Sequence, residues 1–206
     1  MTTSSLSLRT IRRRALTVAA TLAGAATLAA CDDPLGLRAS LQVQVDTLSA
    51  FAMTGTPVTY PSAFDAGNSA VVRVSTDVGF DIAFDFTAAG AIQLVPARQV
   101  SATRDLGGAV ASASRRVGLQ QGTGTFESIT RAPSGGYTYD SVLVVAPGVP
   151  VVMEVSSDVC QFSLASTIYA KIVVDSIDQS TRQLFFRATV DPNCGFRSFQ
   201  PGVPKN

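Results

Sequence analysis

Phe80-Asp81-Ile82-Ala83-Phe84-Asp85-Phe86 is the stretch that decides the fold. Large apolar side chains stand at 80, 82, 84 and 86, and two aspartates and an alanine fill the positions between them. In an extended chain successive side chains point to opposite faces, so a period of two puts four large apolar groups on one face of a strand. One buried and one polar face is the pattern of an antiparallel sheet packed on a core. On this reading Asp81 and Asp85 stand in solvent. Thr87-Ala88-Ala89-Gly90 then reads as a hairpin turn into Ala91 to Val95, and Pro96 ends that strand because it has no N–H to give a ladder.

Working outward, the same period recurs. Leu41, Val43 and Val45 alternate with Gln42, Gln44 and Asp46, as in a half-buried strand. Tyr137 to Val145 reads as one strand of a hairpin, turning at Ala146-Pro147-Gly148 into Val149 to Val155. Its unbroken Val142-Leu143-Val144-Val145 suggests burial on both faces. Ile168 to Ile177 turns at Asp178-Gln179-Ser180-Thr181 into a strand carrying Leu184, Phe186, Ala188 and Val190. With weaker strands near 70 to 76, 115 to 120 and 125 to 130, the total is roughly nine or ten strands. The connections are too short for helical crossovers, so the strands run antiparallel. The expectation is an all-β antiparallel β-sandwich, immunoglobulin-like in general architecture. It lacks that family's tryptophan, since the chain contains no Trp.

The N-terminus has a different character. Four arginines (Arg9, Arg12, Arg13, Arg14) and no acidic residue precede Ala15 to Ala30, a run without charge, which is the layout of an export signal. It is shorter than the roughly 20 apolar residues of a membrane span. Leu28-Ala29-Ala30-Cys31 then resembles the lipobox of bacterial lipoprotein precursors. The resemblance implies that residues 1–30 are cleaved, that Cys31 becomes the first mature residue and carries lipid, and that residues 31–40 tether a single domain, 41–206. It further implies a place in the cell envelope, on the periplasmic side of the inner membrane or at the outer membrane. Arg12-Arg13-Arg14-Ala15-Leu16 also loosely resembles a twin-arginine signal. Asp32 resembles the residue that keeps enterobacterial lipoproteins on the inner membrane.

Three cysteines are an odd number, and lipidation of Cys31 removes the oddness. Cys160 and Cys194 can then form a disulfide in the oxidising space outside the cytoplasm. A metal site is the weaker alternative, because there is no histidine and two isolated cysteines make a poor zinc site.

The remaining composition narrows the function classes. Removing residues 1–30 takes four of the 16 basic residues and none of the 15 acidic ones, which leaves a net charge of −3. A chain without a basic face does not read as a nucleic-acid binder. Without histidine neither a Ser-His-Asp nor a Cys-His site can form. Of the two lysines, Lys171 and Lys205, neither follows a Ser-x-x-Lys spacing. Asp77, Asp81 and Asp85 recur every four residues, but in a strand Asp81 and Asp85 lie about 13 Å apart, too far for an acid and nucleophile pair. They read as a solvated strand face, and no catalytic residue, metal or cofactor is expected. Tyr137 and Tyr139, behind Gly135-Gly136, are the candidate contact surface for a protein, peptide or glycan. The expectation is a non-enzymatic domain that serves as a binding or structural module, with carriage of an apolar ligand between the sheets, or hydrolysis by carboxylates, as the alternatives.

Overall fold

The computed structural model describes residues 37–75, 78–103 and 115–205. The signal segment, Cys31, the start of the tether and Asp77 lie outside the described residues.

Among the described residues eleven strands form two antiparallel sheets, as the period-two reading implies. They are β1 (Gln44–Phe51), β2 (Pro61–Asp65), β3 (Ala70–Arg73), β4 (Ile82–Phe86), β5 (Ile92–Pro96), β6 (Val117–Gln121), β7 (Thr138–Tyr139), β8 (Leu143–Val145), β9 (Val151–Ser156), β10 (Thr167–Asp178) and β11 (Gln183–Asp191). The larger sheet has the order β1-β11-β10-β9-β6-β7, the smaller β3-β2-β4-β5-β8. One short helix, α1 (Ala97–Thr103), follows Pro96.

The main core lies between the sheets. Ile82, Phe84 and Phe86 of β4 enter it with Phe64, Leu94, Met153, Ile172 and Phe186. The Phe186 ring meets Phe64 edge-on at 5.9 Å and Phe84 at 4.9 Å. Aromatic pairs so placed add about 0.5–1.5 kcal/mol beyond the area they bury.

Asp81, just before β4, and Asp85 within it are not where the alternation put them. Asp81 is 0% and Asp85 6% exposed, because the second face of the smaller sheet is covered as well. Phe80 and Ala83 pack there with Met53, Ala63, Val74, Val95, Ala97 and Val100, the last two supplied by α1. Phe80 therefore leaves the face of Ile82, Phe84 and Phe86 and joins this second core. Buried carboxylates must be paired. Asp85 accepts from the Thr54 N–H (3.2 Å), the Thr54 hydroxyl and the Phe86 N–H (2.8 Å), with Arg182 at 3.6 Å.

Five other expectations change. Tyr137 to Val145 is not one strand. The chain turns at Asp140, a left-handed residue (φ 49°), so β7 pairs with β6 in one sheet and β8 with β5 in the other. The Ala146-Pro147-Gly148 turn, with Gly148 at φ 78°, is thus a bridge between sheets and not a hairpin. Val142 and Val144 are exposed, since β8 is an edge strand covered on one side only. Leu41 and Val45 are exposed too, while Val43 is buried and pairs with Gly202. Residues 125–130 form a turn, the Ser128 N–H donating to the Thr125 carbonyl.

The outer face of the larger sheet carries a third cluster. The segment after β6 and the C-terminal segment lie over it, joined to each other where the Ala132 N–H donates to the Arg197 carbonyl and the Phe199 N–H to that of Thr130. Beneath them Tyr137, Tyr169, Val152, Ala132 and Phe199 pack together. Lys171 of β10 is buried there, its ammonium donating to the carbonyls of Phe126 (2.6 Å) and Ile129 (2.9 Å) and lying 4.1 Å from the centre of the Phe126 ring.

Candidate functional site

Three places on this frame bring chemistry together. The first is a carboxylate cluster built at one end of the sandwich. Asp65 ends β2, Asp81 precedes β4 and Asp158 follows β9, so the cluster joins residues of both sheets. Arg115 sits among them, its Nη1 3.2 Å from Asp81 and 3.6 Å from Asp65, its Nη2 3.2 Å from Asp158. The second oxygen of Asp81 accepts the Ala66 N–H at 2.7 Å, and Asp65 accepts from the Gly67 N–H and the Asn68 amide. Burial pushes the Asp81 carboxyl up to about 6 from its ordinary 3.8, while the Ala66 amide and the Arg115 guanidinium pull it down. For Arg115, burial works to lower the pKa, and the carboxylates of Asp81, Asp65 and Asp158 outweigh it.

An acid near 6 is suited to proton transfer. Here, though, both oxygens of Asp81 are already engaged, and Arg115 holds the space between the acids where a cation or a substrate proton would have to come. The geometry makes an ionic clasp between the sheets. Among the described residues no three acidic or sulfur side chains converge as a metal site.

The second place is the tyrosine pair. Tyr137 is 8% exposed, its hydroxyl donating to the Pro133 carbonyl at 3.0 Å. Tyr139 is half-buried, donates to Glu154 at 2.6 Å and has the Arg116 guanidinium 3.5 Å from its ring centre. Tyr169 donates to the other oxygen of Glu154 at 3.2 Å. Glycine at 118 makes this packing fit, since a Cβ there would come within 2.7 Å of Tyr139 and 2.8 Å of Tyr137. Tyr137 therefore covers the sheet, and only part of Tyr139 faces outward.

The third place is the corner made by the disulfide. Cys160 and Cys194 are joined, with Cα atoms 5.7 Å apart. The bond ties a short 3₁₀ turn (Asp158–Cys160) after β9 to the residues after β11, within one sheet rather than between the two. Asn193 straps the incoming chain to the same corner. Its Oδ1 accepts from the N–H groups of Ser40 (2.8 Å) and Leu41 (2.9 Å), and its Nδ2 donates to the Leu41 carbonyl. Asp191 in turn holds Asn193 and the Ser198 N–H. Between the 3₁₀ turn and β10 a loop presents Phe162, 94% exposed, and Leu164, 80% exposed.

Among the described residues are two further surface hollows. One of about 280 Å³ is bordered by Gln120, Thr123, Ser128, Thr130 and Arg131, the other of about 190 Å³ by Gln44, Asp46, Asn68 and Ser69. Both are smaller than the roughly 300–1,000 Å³ of ordinary ligand pockets.

Sequence reasoning passed over Arg115, Asp65 and the Phe162–Leu164 loop. Arg115 stands beside Arg116 in the sequence with nothing to mark it, and Gln161-Phe162-Ser163-Leu164-Ala165-Ser166 alternates as a strand would. Nothing in either pattern distinguishes a clasp from a solvated charge, or an exposed tip from a buried face. No protein-family model matches the chain, and neither a curated protein nor a solved structure matches it.

Proposed function

We propose that the chain is an envelope lipoprotein, cut before Cys31 and acylated on it, whose sandwich domain is a non-catalytic interaction module for a protein, peptide or glycan. The observation that carries this reading is Leu28-Ala29-Ala30-Cys31 at the end of an arginine-led apolar run. Pairing of Cys160 with Cys194 supports it, because Cys31 is then the one cysteine outside the disulfide. The engaged oxygens of Asp81 and Asp65 favour a non-catalytic domain over a carboxylate hydrolase. Aromatic packing between the sheets favours it over a carrier of apolar ligands.

The test is Cys31→Ser. Two or more acyl chains hold a protein firmly at a bilayer, each contributing about 0.8 kcal/mol per buried CH₂. The unaltered protein is expected in the membrane fraction with an N-terminal peptide heavier by its acyl groups, and Cys31→Ser in the soluble fraction. An unmodified Cys31 peptide from the native membrane would refute the proposal.

A further inference from the structure

At the disulfide corner the start of the domain meets its most exposed apolar side chains. A Cβ built on Gly195 would stand 2.9 Å from Leu37 Cδ1 and 2.6 Å from Ala165 Cβ, so Leu37 and the loop that carries Phe162 and Leu164 converge on one point. Val159, in the 3₁₀ turn at the foot of that loop, is exposed as well.

We propose that the Val159–Leu164 tip enters the surface of the lipid bilayer that holds the protein, as a second contact beside the acyl anchor. The inference rests on acylation of Cys31. From Cys31 to Leu37 is six residues, and six extended residues span at most about 20 Å. The anchored chain therefore reaches the domain beside this loop, and the bilayer faces the corner from which Phe162 projects.

Three features suit the tip to lipid. Residues 159–166 carry no charge, and the neighbouring Asp158 is paired with Arg115 at 3.2 Å. The loop is held at its neck, the Ser157 N–H donating to the Ser166 carbonyl (3.0 Å) and the Ser163 N–H to the Cys160 carbonyl (2.9 Å), beside the disulfide. A neck already ordered leaves little entropy to lose on insertion. Finally, tethering makes the insertion an intramolecular event, so two apolar side chains suffice where they would bind marginally from solution.

Absence of tryptophan from the sequence makes the test direct. Phe162→Trp in the full chain, extracted from its native membrane and reconstituted into phosphatidylcholine–phosphatidylglycerol vesicles, introduces a single indole at the tip. Its emission is expected to shift to the blue and to be quenched by lipids brominated about 5–10 Å below the headgroups. Phe185→Trp, at the far end of β11 from the corner and 41% exposed, is expected to show the same emission with and without vesicles and no quenching by the brominated lipids. Mass analysis of the N-terminal peptide from the same preparation reads the anchor separately. An acylated protein whose indole at 162 is neither shifted nor quenched overturns the insertion and leaves the anchor standing. A peptide without acyl groups overturns the anchor and the insertion with it.

Discussion

Replacing Asp81 by asparagine should remove a pH dependence of stability that runs opposite to the usual one for carboxylates. The Asp81 carboxyl titrates near 6 in the native state against 3.8 for an unperturbed one, first because it is buried, with Ala66 and Arg115 restoring part of the loss. Below pH 4 both native and unfolded chains hold the proton, and the group makes no difference. Between about 4 and 6 the unfolded chain has released it and the native chain has not, so raising the pH draws the equilibrium toward unfolding. Above 6 the native state carries the whole cost, about 3 kcal/mol at 1.4 kcal/mol per pH unit. Asparagine does not ionise. It offers one acceptor oxygen to two donors, the Ala66 N–H and Arg115, and that mismatch costs about 1–3 kcal/mol at every pH. The offset displaces the curve without bending it. Urea unfolding followed by far-ultraviolet circular dichroism from pH 4 to 7.5 is the assay. The stability difference between the original protein and Asp81→Asn should move by about 2–3 kcal/mol in favour of the variant across that range, since the unfolded carboxyl has begun to ionise by pH 4. Asp191, whose carboxyl burial also raises, is common to both proteins and cancels in the difference. Two pH profiles that run parallel would refute the burial argument.

Two further outcomes can be checked in the same preparation. The Cys160–Cys194 bond spans a sequence separation of 34, and closing a loop of that size stabilises by about 4 kcal/mol on the chain-entropy model. Cys160→Ala with Cys194→Ala, and the reduced protein, should therefore both unfold at markedly lower urea. A midpoint equal to that of the oxidised protein would count against it. Lys171→Met removes the ammonium that serves the Phe126 and Ile129 carbonyls, leaving unpaired a buried acceptor, at about 1–3 kcal/mol, and a part-buried one, at less. Amide hydrogen exchange over residues 122–136 should accelerate, and unchanged exchange there would show that the lysine does not hold the segment.

The class of fold was legible because its signal is local. Ile82, Phe84 and Phe86 declare a strand within five residues, and Asp178 declares its turn by accepting from the Ser180 and Thr181 N–H groups that follow it. What failed to show is what a strand meets on its second face. The polar face of β4 reads as solvated until α1 is laid over it, and α1 has only seven residues, too few to display a helical period. Pro61-Ser62-Ala63-Phe64-Asp65 is short and does not alternate, so β2 was not anticipated. The change of sheet at Asp140 depends on one backbone torsion inside a run of good strand formers. Among the site residues, pairing of Cys160 with Cys194 followed from counting. The clasp at Arg115 did not, since its partners come from positions 65, 81 and 158, and no spacing along the chain links them.

The position of β11 bears on how the protein comes to be folded at all. This last strand lies between β1 and β10, and Gln44 stands opposite Val190. A chain still emerging, with residues 183–191 not yet free, has a first strand with no neighbour in its sheet and a β10 open along one side. Contacts so distant in sequence form slowly, and the loop that precedes them costs entropy before they reward it. The larger sheet therefore cannot close until nearly the whole length is available, whereas the strands of the smaller sheet, within residues 61–145, are all free before β9 has emerged. A chain of this topology keeps its first strand waiting for its last, so the core between the two sheets is completed only when the C-terminal strand is free.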